Sequence, residues 1–323
     1  MSRVDIYGLA RQTAGKGTPV TTMTYFPPVE RVEVRDQATD IEIEETQGNR
    51  FAAGLDYGTR FFTVAPTFIP RHSSFPRILS GFFGQPTTGA AVSGVYPHVF
   101  DVAAAGKIPE WHSMFVVRAD PAVDIIDLFT DCRGEELSVD VAANGYMRAT
   151  ARWLALTLDD TQPAPTPTTD ASGRIKFPHA LIYLDDGGGE VAVACQSWGF
   201  TYTNGHDTDQ AVLGSTELYD LPHGNATCQI RFTPRETLSE HYRRALLTEP
   251  ESIKVRMVAN NGLAAGNLRE VEVIAYAMET TEAPADVEAS EVLKMITVTG
   301  SVKYDTVTSK FIQATVKNTV ASY

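Results

Sequence analysis

The chain has 323 residues, a hydrophobic content of 43% and a formal net charge of −13. A chain of this length is typical of about two domains, and its hydrophobic content is sufficient for packed cores. The acidic balance argues against a protein that holds nucleic acid through phosphate contacts, because such contacts need an excess of lysine and arginine.

Alternation of apolar and polar residues is the most frequent pattern along the chain, and it predicts β-strands that bury one face. Clusters of Gly, Asn, Asp and Pro separate these stretches, as is typical of turns. In chain order, alternating or apolar runs predict strands at residues 31–34, 40–44, 61–64, 114–117, 137–141, 180–184, 191–202, 228–232, 253–258 and 270–273. We therefore expect an all-β fold with short flanking helices.

The middle of the chain contains a polar, proline-rich stretch. Residues 159–173 read DDTQPAPTPTTDASG, with a proline at every second position from Pro163 to Pro167. Such a segment cannot pair as a central strand and predicts a linker or an extended surface loop. It divides the chain into a first β domain at 1–160, the linker or loop at 161–175, and a second β domain at 176–323.

The two halves of the chain are similar to each other. The motif FIPR at 68–71 matches FTPR at 232–235, and each motif follows a predicted strand and precedes a predicted helix. Ser74 is the expected N-cap of the first helix, and Thr237 with Glu240 has the pattern of a capping box. In both helices the apolar residues, with His241 counted as semi-apolar, recur at i, i+3, i+4, i+7 and i+8: Phe75, Ile78, Leu79, Phe82 and Phe83, then Leu238, His241, Tyr242, Ala245 and Leu246.

These similarities predict an internal duplication, in which each half is one β-sandwich or open barrel with a helix on its flank. The alternative is coincidence, since the matching motif is short and the order strand, helix, strand is common.

The chain resembles the tail tube proteins of long-tailed bacteriophages in their two-domain form. The resemblance rests on GKGTPV at 15–20, a strand pair ending at 48–50, the helix at 75–83, and a strand at 112–117 that leads to DCRG at 131–134. The second half repeats the same elements, so the resemblance extends over most of the chain.

This resemblance implies a structural virion protein, made of two tandem tail-tube-type β-sandwich or barrel domains, that polymerises into stacked rings around a channel for DNA ejection. Three chains would form a pseudo-hexameric ring if both halves contribute a domain, and six chains would be needed if only one half lines the lumen. The implied partners are other copies of the chain, a tape-measure protein, and the tail terminator and tail tip proteins. Genomic DNA would pass without specific binding, no membrane would be involved, and assembly would take place in the host bacterial cytoplasm.

Acidic residues repeat on one face of three alternating segments, opposite the apolar residues of the same strands. If these faces line the lumen, ring symmetry multiplies them into a negatively lined channel that repels phosphate. The alternative is an ordinary solvated outer face. The lumen-facing candidates are Asp40, Glu42, Glu44, Glu136, Asp140, Glu270 and Glu272.

Two long polar segments, 35–60 and 204–224, are predicted as loops at equivalent places in the two halves. We expect them to act as arms that pack on the neighbouring subunit or the next ring, as we do for residues 2–22 and 318–323. The alternative is surface loops of a monomer. The candidate inter-subunit contacts are Phe51, Tyr57, Arg60, His206 and Tyr219.

Nothing in the sequence indicates catalysis or a metal site. His206 stands alone among acids in a Gly/Asn segment, which is typical of a turn, and GKGT at 15–18 lacks the spacing of a phosphate-binding loop. Cys132, Cys195 and Cys228 are too far apart in sequence to indicate a disulfide framework or a zinc site. We therefore expect no catalytic residue, no cofactor, no metal and a reducing compartment. We also expect no signal peptide and no membrane span.

The competing interpretation is a β-sandwich receptor-binding or carbohydrate-binding phage module. Such a module needs exposed aromatic side chains on a concave face. The three tryptophans, Trp111, Trp153 and Trp198, lie in or beside predicted strands and are expected to belong to the core.

Overall fold

The computed structural model describes residues 6–23, 25–43, 54–103, 108–118, 124–168, 170, 172–234, 253–263, 268–282 and 297–323. Within these residues the regular structure is almost entirely antiparallel β-sheet, with one α-helix and one short 3₁₀ turn. The prediction of an all-β fold is confirmed.

Among the described residues, nine elements lie in the first half and nine in the second. Those of the first half are β1 (Ile6–Arg11), β2 (Val29–Ile43), β3 (Gly54–Phe68), α1 (Phe75–Phe83), β4 (Thr87–Thr88), β5 (Tyr96–Asp101), β6 (His112–Arg118), β7 (Ile125–Ala142) and β8 (Arg148–Asp159). Those of the second half are a 3₁₀ turn (Phe177–His179), β9 (Ala180–Asp185), β10 (Val191–Val193), β11 (Cys195–Thr203), β12 (Thr227–Pro234), β13 (Ile253–Asn260), β14 (Glu270–Glu282), β15 (Val298–Lys303) and β16 (Ile312–Asn318).

Burial along the strands follows the alternation of the sequence. In β7, Leu137, Val139 and Val141 are fully buried, whereas Ser138 and Asp140 between them are partly exposed. The predicted strand segments all fall within strands as far as the structure describes them, except that residues 191–202 form two strands with a break at Ala194. The described residues of the proline-rich stretch after β8 form a mostly exposed connection without regular structure.

The predicted loop at 35–60 is wrong. β2 and β3 pair as one long hairpin, with Asp36 opposite Phe62 and Asp40 opposite Tyr57. Residues 35–38 are exposed on both faces of the strand, so their side chains show no alternation from which a strand could be recognised. Tyr57 and Arg60 are therefore strand residues, while Glu44 and Phe51 lie outside the described residues.

Helix α1 forms where its apolar spacing predicts. Ser74 occupies the N-cap position with a proline in the first turn, but its side chain caps no backbone amide. Its hydroxyl instead donates to the carbonyl oxygen of Arg71 at 3.4 Å. The predicted second helix at 238–246 lies outside the described residues.

The same strand path occurs in both halves. In the first half the hydrogen-bonded neighbours run β2–β3–β8–β7–β6–β1, and in the second half they run β11–β12–β15–β14–β13–β9. Strands that occupy the same position in the two paths correspond to each other, as β7 does to β14, and these corresponding strands also occur in the same order along the chain. Of the phenylalanines in the two matching motifs, Phe68 is the last residue of β3 and Phe232 lies two residues before the end of the corresponding strand β12. An internal duplication would produce this pattern.

In the part of the chain that the structure describes, two strand pairs join the halves. β11 pairs with the last part of β7, from Thr203 opposite Glu136 to Ser197 opposite Ala142, and β16 pairs with β5. One hydrophobic cluster extends through both halves and includes Trp153 and Phe82 from the first and Phe200 and Val273 from the second. The sheet therefore folds around a shared core and presents an outer face on each side of it.

Candidate functional site

A polar face extends across eight strands and both halves of the chain. It is formed by the side chains of β2, β3, β8, β7, β11, β12, β15 and the end of β14 that point away from the core. One row of directly opposed residues crosses all eight strands: Arg31, Thr67, Thr150, Ser138, Thr201, Gln229, Ser301 and Glu279. We call the surface built on this row and its neighbours the polar sheet face.

Hydroxyl groups form much of the polar sheet face. Thr67 and Thr150 share a hydrogen bond of 3.1 Å across β3 and β8, and Ser138 and Thr201 share one of 3.4 Å across β7 and β11. The second of these bonds crosses the junction between the halves. Both the backbone pairing and the hydroxyl groups of the face therefore continue from one half of the chain to the other.

The acidic residues of this face are each accompanied by a cation. Arg152 lies 3.4 Å from the carboxylate of Glu136, and the Nε of Arg231 donates to Asp140 at 3.1 Å. Lys303 lies 3.7 Å from Glu279. Exposed pairs of this kind contribute about 0–1 kcal/mol each to stability. Their larger effect is to compensate charge locally, so Glu136 and Asp140 do not form a band of uncompensated negative charge.

The predicted lumen candidates do not share one surface. Glu136 and Asp140 lie on the polar sheet face. Glu270 and Glu272 lie in the first part of β14, which pairs with β13 and β16. There Glu270 contacts Lys317 at 2.6 Å and Glu272 contacts Arg256 at 3.2 Å.

The different position of Glu270 and Glu272 arises from a change of strand partners within β14. A register irregularity near Ala275 and Met278 separates the part that pairs with β13 and β16 from the part that pairs with β15. Val271 and Val273 pack into the shared core, so Glu270 and Glu272 lie on the other face of β14, where Glu270 is buried and Glu272 is partly exposed. Asp40 and Glu42 are paired with Tyr57 and Leu55 in the β2–β3 hairpin. Glu44 lies outside the described residues.

The segment between β11 and β12 folds onto the first half of its own chain. The side-chain amide of Asn204 donates to the carbonyl oxygens of Gly134 and Phe82, at 2.7 and 3.3 Å. Further along, the backbone amide of Arg60 donates to the carbonyl oxygen of Thr216 at 2.7 Å. Leu218 and Leu221 are buried with Leu154, Leu156 and other apolar side chains.

This packing buries one of the two predicted contact residues in the segment and leaves the other exposed. His206 is 8% exposed, and its backbone amide donates to the carboxylate of Glu135 at 3.0 Å. Burial lowers the pKa of His206, so its ring is neutral at neutral pH. Tyr219 in the same segment is 67% exposed, with the ammonium of Lys16 4.8 Å from its ring centre. Only Tyr219 of the two is accessible to a neighbouring chain.

No group of three metal-binding side chains occurs among the described residues. Burial raises the pKa of the Cys132 thiol and raises that of Cys195 to about 12, so both thiols are protonated at neutral pH. Trp153 and Trp198 are buried, and the partly exposed Trp111 is stacked by the guanidinium of Arg133 at 3.9 Å. In the described part of the chain, no helix is long and apolar enough to cross a membrane.

The polar sheet face itself was not predicted from the sequence. The available signal was hydroxyl residues at alternate positions, such as Ser197, Thr201 and Thr203 in β11.

A family model described as phage tail tube protein matches residues 5–301, which is nearly the whole chain. No curated protein matches the chain.

Proposed function

Because the chain belongs to the phage tail tube protein family, we propose that it polymerises into stacked rings that form a tube for DNA ejection. The structural observation that carries this proposal is the open edge of β2. β2 ends the strand path, and no strand in the described part of the chain pairs with its outer edge. A long unpaired strand edge favours pairing with another chain.

We propose that three chains form each ring. The division into domains at 1–160 and 176–323 would then supply six similar units with pseudo-sixfold symmetry. The support is the strand path that recurs in both halves and the junction of β7 with β11, which joins one unit to the next inside a single chain. Six chains per ring is the arrangement expected if only one half lines the lumen.

The polar sheet face is the proposed wall of the lumen. Among its described residues, the hydroxyls and paired charges leave no cluster of uncompensated cations to hold phosphate, and the net charge of −13 opposes DNA binding over a longer range. Glu136 and Asp140 remain candidates for this wall. The lining is then close to neutral locally, and the negative character comes from the assembly as a whole.

Other contacts are proposed from the same premise. Tyr57 and Arg60 in the β2–β3 hairpin, and the exposed Tyr219, are the candidates for contact with neighbouring subunits or the next ring. The tape-measure protein would occupy the lumen before ejection, and tail terminator and tip proteins would bind the two ends. The site of function is the virion tail, after assembly in the bacterial cytoplasm.

Electron microscopy of the purified chain over a range of concentrations tests the proposal. We expect rings or hollow tubes with a lumen wide enough for double-stranded DNA. Compact monomers at every concentration, together with binding to a glycan array, would favour a receptor-binding module instead.

A further inference from the structure

We propose that the outer edge of β2 pairs antiparallel with the last part of β14 of a second copy of this chain, with Arg35 opposite Glu279. This inference rests on the proposed ring and specifies which two edges meet in it. The template for the contact is the β7–β11 junction inside the chain.

The internal junction has a simple construction. On one side, the first part of β7 pairs with β6, from Ile125 to Cys132. Beyond that point β6 has ended, and the same side of β7 pairs with β11 from Glu136 to Ala142. The second unit is thus attached to the portion of β7 that extends past its own neighbour.

The second half offers the same free edge. β14 corresponds to β7, and it pairs with β13 from Glu270 to Met278. On that side, residues 279–282 of β14 have no partner strand in the described part of the chain. β2 corresponds to β11, and its outer edge has no partner strand in the described part of the chain. Each half therefore has both kinds of edge. Inside the chain β7 of the first half pairs with β11 of the second, whereas β14 and β2 are left to pair with other copies.

The register follows from the matching motifs. Aligning Phe68 with Phe232 places Thr63 on Thr227, and their strand partners are Arg35 and Thr203. Arg35 is therefore the counterpart of Thr203.

The same alignment locates the partner on β14. Ala149 lies opposite Phe68 and Val298 lies opposite Phe232, so Arg152 corresponds to Ser301. Their partners on the next strand are Glu136 and Glu279. Since Glu136 lies opposite Thr203 inside the chain, Glu279 is expected opposite Arg35 between chains.

Three features of the two edges agree with this register. Arg35 and Glu279 both project from the polar sheet face, as directly opposed residues must. Their charges are opposite, which favours a cross-strand pair. Val32 and Val34 on β2 are only partly buried although they pack against the main core, and a partner strand would cover them.

The two edges are different surfaces, so the contact is head to tail and a repeated rotation can close it into a ring. The opposite arrangement, in which β2 pairs with β2 of another copy, would give a two-fold dimer that cannot continue.

Thiol cross-linking in assembled tubes tests the proposal. In a C195S background, the variant R35C/E279C treated with a short bismaleimide, which reacts with two cysteine thiols, is expected to give linked dimers and trimers on a denaturing gel. The matched control R35C/K317C places the second cysteine on β16 in the opposite layer and is expected to stay unlinked. Links in R35C alone, or equal linking in the control, would overturn the proposed pairing.

A charge exchange provides a second measurement. R35E is expected to reduce tube yield at least several-fold because it faces Glu279, and R35E/E279R is expected to restore it. If wild-type tubes form but neither cross-linking nor rescue is seen, the edge assignment fails and the tube function stands. If the wild-type chain forms no ring or tube, the proposed function itself fails.

Discussion

The indole ring of Trp153 lies directly against Gly81 of helix α1. A Cβ atom added at Gly81 would clash with the Cη2 atom of Trp153. The same indole packs against Phe82 and His112, with ring centres 4.9 and 5.1 Å away. The helix can therefore approach β8 only because residue 81 has no side chain.

Gly81→Ala provides a test in which two effects have opposite signs. Helix propensity alone predicts a gain of about 1 kcal/mol for alanine in the interior of α1. Displacement of a buried tryptophan predicts a loss of about 1–3 kcal/mol. We expect the loss to dominate, so that urea unfolding monitored by tryptophan fluorescence shows a lower free energy of unfolding.

Gly173→Ala is the matched control, because a Cβ at Gly173 meets no atom within 4 Å and its backbone conformation suits any residue. It should change the free energy of unfolding by less than about 0.5 kcal/mol. A stabilised Gly81→Ala protein would contradict the contact with Trp153.

Asn204 ties the second half of the chain to the first. Its amide nitrogen donates to the carbonyl oxygens of Gly134 and Phe82, and its oxygen accepts the hydroxyl of Tyr202 at 2.9 Å. Asn204→Ala would leave buried groups without a partner, at a cost of about 1–3 kcal/mol for each one. We expect a fall of at least about 2 kcal/mol in the free energy of unfolding and faster amide exchange in residues 205–224.

The control for this prediction is Asn225→Ala, at an exposed position in the same segment. It should leave stability and amide exchange close to those of the wild type. Equal effects of the two substitutions would indicate that the segment is not held by Asn204.

Buried histidines predict that acid destabilises the chain well above the range in which carboxylates titrate. Burial lowers the pKa of His112 to about 4, and burial together with the nearby Arg269 lowers that of His72 to about 4. Both rings are neutral in the folded chain, whereas in the unfolded chain they take up a proton near pH 6.5. The free energy of unfolding therefore falls as the pH drops below about 6.5 and levels off near 4.

For one such histidine the loss amounts to about 2 kcal/mol at pH 5. Urea unfolding at pH 7.5 and at pH 5 measures it. His112→Gln should reduce the difference between the two pH values even if it lowers stability at both. A wild-type free energy of unfolding that does not change over this range would contradict neutral burial of these rings.

The sequence predicts the strands well where one face is buried. β7 is recognised because Leu137, Val139 and Val141 alternate with polar residues, and α1 because its phenylalanines follow helical spacing. The matching motifs at 68–71 and 232–235 also place Phe68 and Phe232 close to the ends of corresponding strands. These features depend on near neighbours in the chain.

The features that the sequence misses depend on distant contacts. Residues 35–38 of β2 are all exposed, so no alternation of burial marks this part of the β2–β3 hairpin as strand. Leu218 and Leu221 indicate a buried patch, but nothing local shows that it lies against Leu154 and Leu156. The acidic alternation of β14 resembles that of β7, and only the irregularity within β14 places Glu270 in the opposite layer.

The symmetry of the assembled ring distinguishes three chains from six. If both halves contribute a unit, two kinds of junction alternate around the ring. One lies within a chain and has Glu136 opposite Thr203, and the other forms between two chains. These junctions have different side chains, so the true symmetry is threefold although the outline is nearly sixfold. A rotational average of tube cross-sections should therefore show a strong sixfold component and a weaker threefold one.

Mass per unit length provides the independent measure, because each ring should contain three chains of 35.2 kDa. Scanning transmission electron microscopy of unstained tubes gives this value once the ring spacing is known. Strict sixfold symmetry with twice that mass per ring would mean that each chain places a single unit at the lumen. The β7–β11 junction would then link an inner unit to an outer one. It would no longer be equivalent to a junction between neighbouring units of the ring, so it could not serve as the template for pairing β2 with β14.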